Sequence, residues 1–227
     1  MSGGFARLTG GEAPAAMLFD LDGTLLDSLP DLATAIDRTL LELGRPAAGE
    51  CLVGAWIGDG AQQLVREALQ HAGLDASAAA LAAAVAIYQR HYADCLTERS
   101  RLFPGVLAAL QLGAARGVRM ACVTNKGERF TAPLLAHFAL GELLPVAVCG
   151  DTLPQRKPDP APLLYACERL GVPPQRALMV GDSRNDVLAA RAAGMPVVCV
   201  DYGYNHGRPI ADEGADALIG ALPELFA

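Results

Sequence analysis

Apolar and polar positions follow two rhythms along this chain, and the change falls near residue 100. The first apolar run, Ala15-Ala16-Met17-Leu18-Phe19, is unbroken and reads as a strand buried on both faces of a parallel sheet. A long helical stretch follows. Leu29, Leu32, Ala33, Ile36, Leu40 and Leu43 recur at helical spacing until Gly44 stops them. Ala61, Leu64, Val65, Ala68 and Leu69 repeat the pattern, with Gln62, Gln63, Arg66, Glu67 and Gln70 opposite and Gly73 at the end. The alanine-rich segment 77–96 reads as a further helix, with Leu81, Val85, Tyr88 and Tyr92 on one stripe. From Phe103 onward, strand-like runs at 118–123, 146–149, 177–180 and 197–200 alternate with helical segments near 105–116, 128–139, 159–170 and 185–193.

Such alternation predicts right-handed crossovers and an α/β fold with a parallel sheet covered by helices on both faces. The first strand needs sheet partners, and only the later runs offer them. The expected organisation is therefore a flexible segment 1–14, a sheet core built from 15–28 and 101–227, and a small all-helical unit, 29–100, inserted after the first strand. That unit would sit over the carboxyl ends of the strands as a lid.

Polar residues gather where the strands stop. Asp20 and Asp22 end the first strand, and Gly23 behind them lets a ligand or backbone come close. Thr124, Asn125 and Lys126 end the 118–123 strand. Lys157 follows the 146–149 strand after a loop, and Asp182 and Asp186 follow the 177–180 strand. Taken singly, each cluster reads as readily as a turn or a helix cap. In a parallel sheet, however, these ends share the edge at which α/β sheets bind ligands. Together they read as a site.

Like charges crowded there must be answered by a cation. At ~4 Å and an effective dielectric near ~20, each pair among Asp20, Asp22, Asp182 and Asp186 would repel by about 4 kcal/mol. Lys157 alone is too little, and oxygen ligands suit Mg²⁺. A phosphate monoester, with a charge of roughly −2, is a substrate that needs both Mg²⁺ and a lysine. Asp20 would attack phosphorus to give an aspartyl-phosphate. Asp22 would protonate the leaving alkoxide and then take a proton from water. Gly23, Thr124, Asn125 and Lys157 would cradle the phosphoryl oxygens. The Asp20–Gly23 stretch lacks the later ligands of a calcium-binding loop. Gly58-Asp59-Gly60 is neither a dinucleotide fingerprint nor a Walker loop, since no strand precedes it and no Gly-Lys-Ser/Thr follows.

Composition trims the alternatives. Of 227 residues, 52% are apolar and 19% charged, ordinary proportions for a soluble globular chain. A net charge of −7 argues against a nucleic-acid partner. No run approaches the ~18 apolar residues of a membrane span, and the first residues lack a signal-peptide core. A cytoplasmic protein without a membrane partner is expected. The six cysteines show no C-x-x-C spacing and read as buried free thiols in a reducing compartment. The four histidines are scattered, so no zinc site is visible.

On these residues the chain resembles the phosphatases of the haloacid dehalogenase superfamily. Asp20-Leu21-Asp22-Gly23-Thr24-Leu25-Leu26-Asp27-Ser28 resembles the first family motif, Thr124-Asn125-Lys126 the second, Lys157-Pro158-Asp159-Pro160 the third and Gly181-Asp182-Ser183-Arg184-Asn185-Asp186 the fourth, in matching order. The resemblance runs from about residue 15 to nearly the end of the chain. It implies a Rossmann-like core with a helical cap, Asp20 as nucleophile and Asp22 as acid/base. It also implies Mg²⁺ held by Asp20, the backbone carbonyl of Asp22, and Asp182, with Asp186 supporting the metal shell or orienting Lys157. Trp56-Ile57-Gly58-Asp59-Gly60 and Tyr202-Gly203-Tyr204-Asn205 look most like the phosphoglycolate phosphatase group. That likeness implies 2-phosphoglycolate, a small phosphorylated acid, as substrate; another small phosphate such as a sugar phosphate, or a phosphomutase activity, are the alternatives. Gly58, Asp59 and Gly60 precede the helix at 61 and fit a carboxylate held at a helix start, or equally a hinge. A dehalogenase is disfavoured because Asp22 suits alkoxide protonation, and a non-catalytic module because no member of the set is missing.

Overall fold

The computed structural model describes residues 6–9 and 11–227. In chain order, β1 (Ala16–Phe19) and the short β2 (Leu26–Asp27) lead into four helices, α1 (Leu29–Glu42), α2 (Glu50–Gly54), α3 (Ala61–His71) and α4 (Ala78–Cys95). After β3 (Arg101–Leu102) helices and strands alternate: α5 (Val106–Ala115), β4 (Arg119–Val123), α6 (Glu128–His137), β5 (Val146–Val148), α7 (Ala161–Leu170), β6 (Ala177–Gly181), α8 (Arg184–Ala192), β7 (Val197–Val200) and β8 (Ala217–Ile219). Short 3-10 turns fill several connections.

Unbroken apolar strands have no face to give to water, and the sheet is built accordingly. Six parallel strands lie in the order β5-β4-β1-β6-β7-β8. Side chains of β1 alternate between two layers. Met17 and Phe19 pack with Val106 and Leu110 of α5 and Leu134 of α6. Ala16 and Leu18 pack with Leu163 and Ala166 of α7 and Val187 and Ala190 of α8. Full burial of side chains such as Leu18 and Phe19 stabilises the fold by roughly 1.5–3 kcal/mol each. The register pairs Phe19 with both Cys122 and Val180. Asp20, Thr124 and Asp182 therefore emerge along one edge.

The four helices between β2 and β3 make a core of their own. Leu32, Ile36 and Leu40 of α1 meet Leu64 and Leu69 of α3 and Leu81 and Tyr88 of α4, and Phe130 of α6 joins them from the sheet side. The two crossings into and out of this unit pair as an antiparallel ribbon, Leu26 with Leu102 and Asp27 with Arg101. Buried Asp31 ties the same place together. Its carboxylate accepts the backbone N–H of Arg99 (2.9 Å), the N–H of Ser100 (2.8 Å) and the Ser100 hydroxyl (2.6 Å).

Four elements appear that periodicity does not predict. Strands β2 and β3 have two residues each, β8 three and α2 five, too few to show a period. The predicted flexible stretch 1–14 falls in part, at 1–5 and 10, outside the described residues, while Ala6–Thr9 form a 3-10 turn. All six cysteines are free; Cys51 corrects the expectation of burial, being exposed on the five-residue α2. No helix among the described residues is long and apolar enough to cross a membrane.

Candidate active site

The strand ends deliver their side chains to one place. Lys157, buried among them, uses all three ammonium donors: to the Val123 carbonyl at 2.7 Å, to Asp186 Oδ1 at 2.7 Å and to Asp20 Oδ1 at 2.9 Å. Asp186 lies in the first turn of α8, where a carboxylate is favoured by the helix dipole. Its Oδ2 accepts the backbone N–H groups of Asp182 (3.2 Å) and Ser183 (3.1 Å) and the Ser183 hydroxyl (2.7 Å). Both oxygens of Asp186 are thus engaged, and the residue locks Lys157 and the start of α8 together.

Asp182 is held equally tightly. Thr24 Oγ1 donates to its Oδ1 at 2.7 Å and the backbone N–H of Tyr204 to its Oδ2 at 2.9 Å. Glycine is required on either side of it. Gly23 has φ +88°, and a Cβ there would lie 2.3 Å from Asp182 Oδ2; one on Gly203 would lie 2.1 Å from Asp182 Cβ. The result is that Asp20, Asp182 and Asp186 each offer a carboxylate oxygen within 4.8 Å of the others. Burial pushes the Asp20 carboxyl up to about 7; Lys157 opposes this and Asp186 adds to it. Burial, then Asp20 and Asp186, push Asp182 well above the usual carboxylate range. Burial disfavours the Lys157 ammonium, but Asp186 and Asp20 outweigh it and hold that pKa above its ordinary value. Negative charge is in excess, and only part of it is answered by protein.

Asp22, two residues from Asp20, has different company. It lies outside the three-carboxylate group; Ser28 Oγ donates to its Oδ1 at 2.5 Å, and Lys126 Nζ sits 3.1 Å from its Oδ2. Two carboxylates of one motif thus occupy distinct environments, the arrangement by which like groups take unlike roles.

A cavity of about 60 Å³ opens between the strand ends and the helical unit. Asp20, Asp22, Thr124, Asn125 and Lys126 line its floor; Leu32, Ile57, Leu64, Tyr88, Tyr92 and Phe130 line its walls. Gly58 and Gly60 of the 58–60 loop border it. Asp59 does not. Its Oδ1 accepts the Asn185 amide at 2.7 Å, and the residue faces a separate polar cleft beside His206. Asn125 lies in the cavity floor, but both its amide donors are committed, to the carbonyls of Lys157 and Gly58 at 2.9 Å each. Arg66 turns to the Ala76 carbonyl and Arg184 is exposed near Glu213, so neither reaches the cavity.

Sequence reasoning gave no role to Lys126, Ser28, Asn185 or Tyr92. Tyr88 and Tyr92 share the predicted stripe of α4, which reads as core from spacing alone. Lys126 closes the second motif, and only the approach of α4 shows what it meets.

Comparison with known proteins places this geometry. Residues 14–194 match the profile of the haloacid dehalogenase-like hydrolases. The chain is 50% identical to the phosphoglycolate phosphatase of Pseudomonas putida, over 98% of this chain and 82% of that protein. It is 48% identical to the phosphoglycolate phosphatase of Thiobacillus denitrificans over 92% of each. The crystal structure of a predicted phosphoglycolate phosphatase from Haemophilus somnus superposes with a TM-score of 0.87 and 37% identity, over 93% of this chain and 96% of that one. With its four motifs meeting at one sheet edge and the profile spanning both the sheet and the helical unit, the chain belongs to the haloacid dehalogenase-like hydrolases.

Proposed function

We propose that this phosphoric monoester hydrolase acts on 2-phosphoglycolate, releasing glycolate and phosphate through an aspartyl-phosphate at Asp20, with Mg²⁺ as cofactor. The observation that carries the reading is Lys157, saturated by Asp20, Asp186 and the Val123 carbonyl beside a buried carboxylate group in need of a cation.

The donor set fits the metal. Hard carboxylate oxygens suit Mg²⁺; Asp20 and Asp182, with the Asp22 carbonyl, would hold it, while Asp186, whose Oδ1 pairs with Lys157 and whose Oδ2 accepts three donors, would steady Lys157 beside the metal. When bound, Mg²⁺ would supply the charge that lets an anionic phosphoryl group approach an anionic nucleophile. The chain's own residues do the rest. An Asp20 carboxylate oxygen forms a bond to phosphorus as the ester P–O bond breaks. Asp22 gives its proton to the departing alkoxide, which leaves as glycolate. Asp22 then takes a proton from water as the water oxygen bonds to phosphorus and the Asp20–phosphorus bond breaks, restoring both carboxyl groups. Lys157 orients Asp20 throughout, and Thr124 borders the phosphoryl oxygens from the cavity floor; the Gly23 N–H, expected in that cradle, is instead donated to the Leu26 carbonyl at 2.9 Å.

The helical unit acts as a cap that shuts water out. A cavity of about 60 Å³ has room for a few water molecules, which supports a two-carbon acid over a hexose phosphate. The six unbridged cysteines support a reducing, cytoplasmic setting. A phosphate-release assay across phosphoglycolate, sugar phosphates and nucleotides, with and without Mg²⁺, tests the reading. Phosphoglycolate should be preferred and Mg²⁺ required. Preference for a hexose phosphate overturns the substrate, and dependence on a bisphosphate primer points instead to a mutase.

A further inference from the structure

We propose that Lys126 is the specificity residue that reads the second anionic group of the substrate, its carboxylate; this rests on the phosphatase reading above. Lys126 is 8% exposed, and its backbone is pinned, with its N–H donating to Thr124 Oγ1 at 3.2 Å and its carbonyl accepting from Gly150 at 2.8 Å. The fixed backbone sends the ammonium across the cavity towards α4. There it donates to Tyr92 Oη at 2.8 Å, stands 4.7 Å above the Tyr92 ring and pairs with Asp22 Oδ2 at 3.1 Å.

Three facts single this group out. Among the described residues lining the cavity it is the cation. Lys157, just behind the floor, has no donor left, whereas Lys126 has two described partners for three N–H groups. The walls facing it are apolar, so a carboxylate brought into the cavity loses water and finds little else to replace it. Tyr92, whose pKa burial raises well above its ordinary value, stays a neutral hydroxyl and fixes the ammonium in place. The first turn of α3, entered by Gly60 without a side-chain cap, borders the same space and adds positive potential. A substrate without the second anion gains nothing from this corner.

Selectivity is the readout, because any effect that Lys126 exerts through Asp22 is common to all substrates and divides out of a ratio. The kcat/KM values for 2-phosphoglycolate and for ethyl phosphate, which lacks the carboxylate, are compared in the wild type, Lys126→Met and Lys126→Arg, each checked by circular dichroism. Loss of one charge-assisted hydrogen bond corresponds to a fall in the ratio of about 10- to 100-fold in Lys126→Met. That fall should appear mainly in KM for phosphoglycolate, and Lys126→Arg should recover most of it. Equal losses on both substrates would overturn the proposal and make Lys126 a partner of Asp22 alone. If Lys126→Met does not fold, the Arg variant and wild type decide: a ratio unchanged when phosphoglycolate is replaced by its methyl ester overturns it. A wild type that hydrolyses ethyl phosphate but not phosphoglycolate overturns the substrate reading itself, a result distinct from either.

Discussion

The side-chain amide of Asn185 donates to Asp59 Oδ1 at 2.7 Å, joining the first turn of a sheet-side helix to the loop that borders the cavity. The same amide lies 3.3 Å from the Gly58 carbonyl, which Asn125 also holds from the floor. At this loop the contact between cap and sheet is held by two asparagines. Replacing Asn185 with Ala removes about 1 kcal/mol of this closure and leaves the carboxylate group intact. KM for phosphoglycolate should rise about fivefold with a smaller change in kcat, measured by steady-state kinetics. A fall in kcat at constant KM would place Asn185 elsewhere in the reaction.

Gly203 carries a second prediction. A methyl group there would lie 2.1 Å from Asp182 Cβ, and Asp182 is already held by Thr24 and Tyr204. Gly203→Ala should displace the Asp182 carboxylate and cost about 1–3 kcal/mol of stability. Activity should fall at least about a hundredfold, and the thermal upshift on adding Mg²⁺ should shrink or vanish in differential scanning fluorimetry. A variant with the wild-type upshift would show that Asp182 does not serve the metal.

Asp31 holds the base of the helical unit rather than the site. Its carboxylate satisfies two backbone N–H groups and one hydroxyl at Arg99 and Ser100. Asp31→Ala strands those donors in a buried place and should cost about 2–4 kcal/mol in urea unfolding. Turnover per folded molecule should hold within a few-fold at low temperature. Loss of activity without loss of stability would contradict the role.

Much of this was legible in sequence, and what was not has a physical cause. Unbroken apolar runs marked β1, β4, β6 and β7 because a parallel sheet buries both faces, and the shared strand edge then gathered Asp20, Thr124 and Asp182. The 58–60 loop reads from sequence as an anion-holding helix start or equally as a hinge, and Asp59 faces away from the cavity that its two glycines border. Gly58 and Gly60, with φ of +134° and +83°, turn that loop in ways that no side-chain pattern encodes. Lys126 and Tyr92 meet across two structural units separated by the whole cap–sheet interface. Periodicity finds which face of α4 is buried, not that a lysine from another unit will end there.

Protonation gives a test in the metal-free protein. Burial raises Asp20 to about 7 and Asp182 well above its ordinary value, against 3.8 for the unperturbed carboxyl. Between those values the folded state binds protons that the unfolded chain has lost. The associated stability is full below the unfolded pKa and is lost as pH rises through the folded one. With a chelator present, Tm should therefore fall between about pH 5 and about pH 8, and Mg²⁺ should restore it at the upper end. A metal-free Tm that rises over this window would contradict the buried-carboxylate account.

The central claim is that Asp20, oriented by Lys157, becomes covalently joined to the transferred phosphoryl group. Rapid acid quench of the Mg²⁺-loaded enzyme with radiophosphorus-labelled 2-phosphoglycolate, followed by peptide mapping, tests it directly. The account predicts hydroxylamine-labile label on the peptide containing Asp20 and none in Asp20→Asn, which should be folded and inactive. Label on a different residue, or near-wild-type turnover by Asp20→Asn, would contradict it.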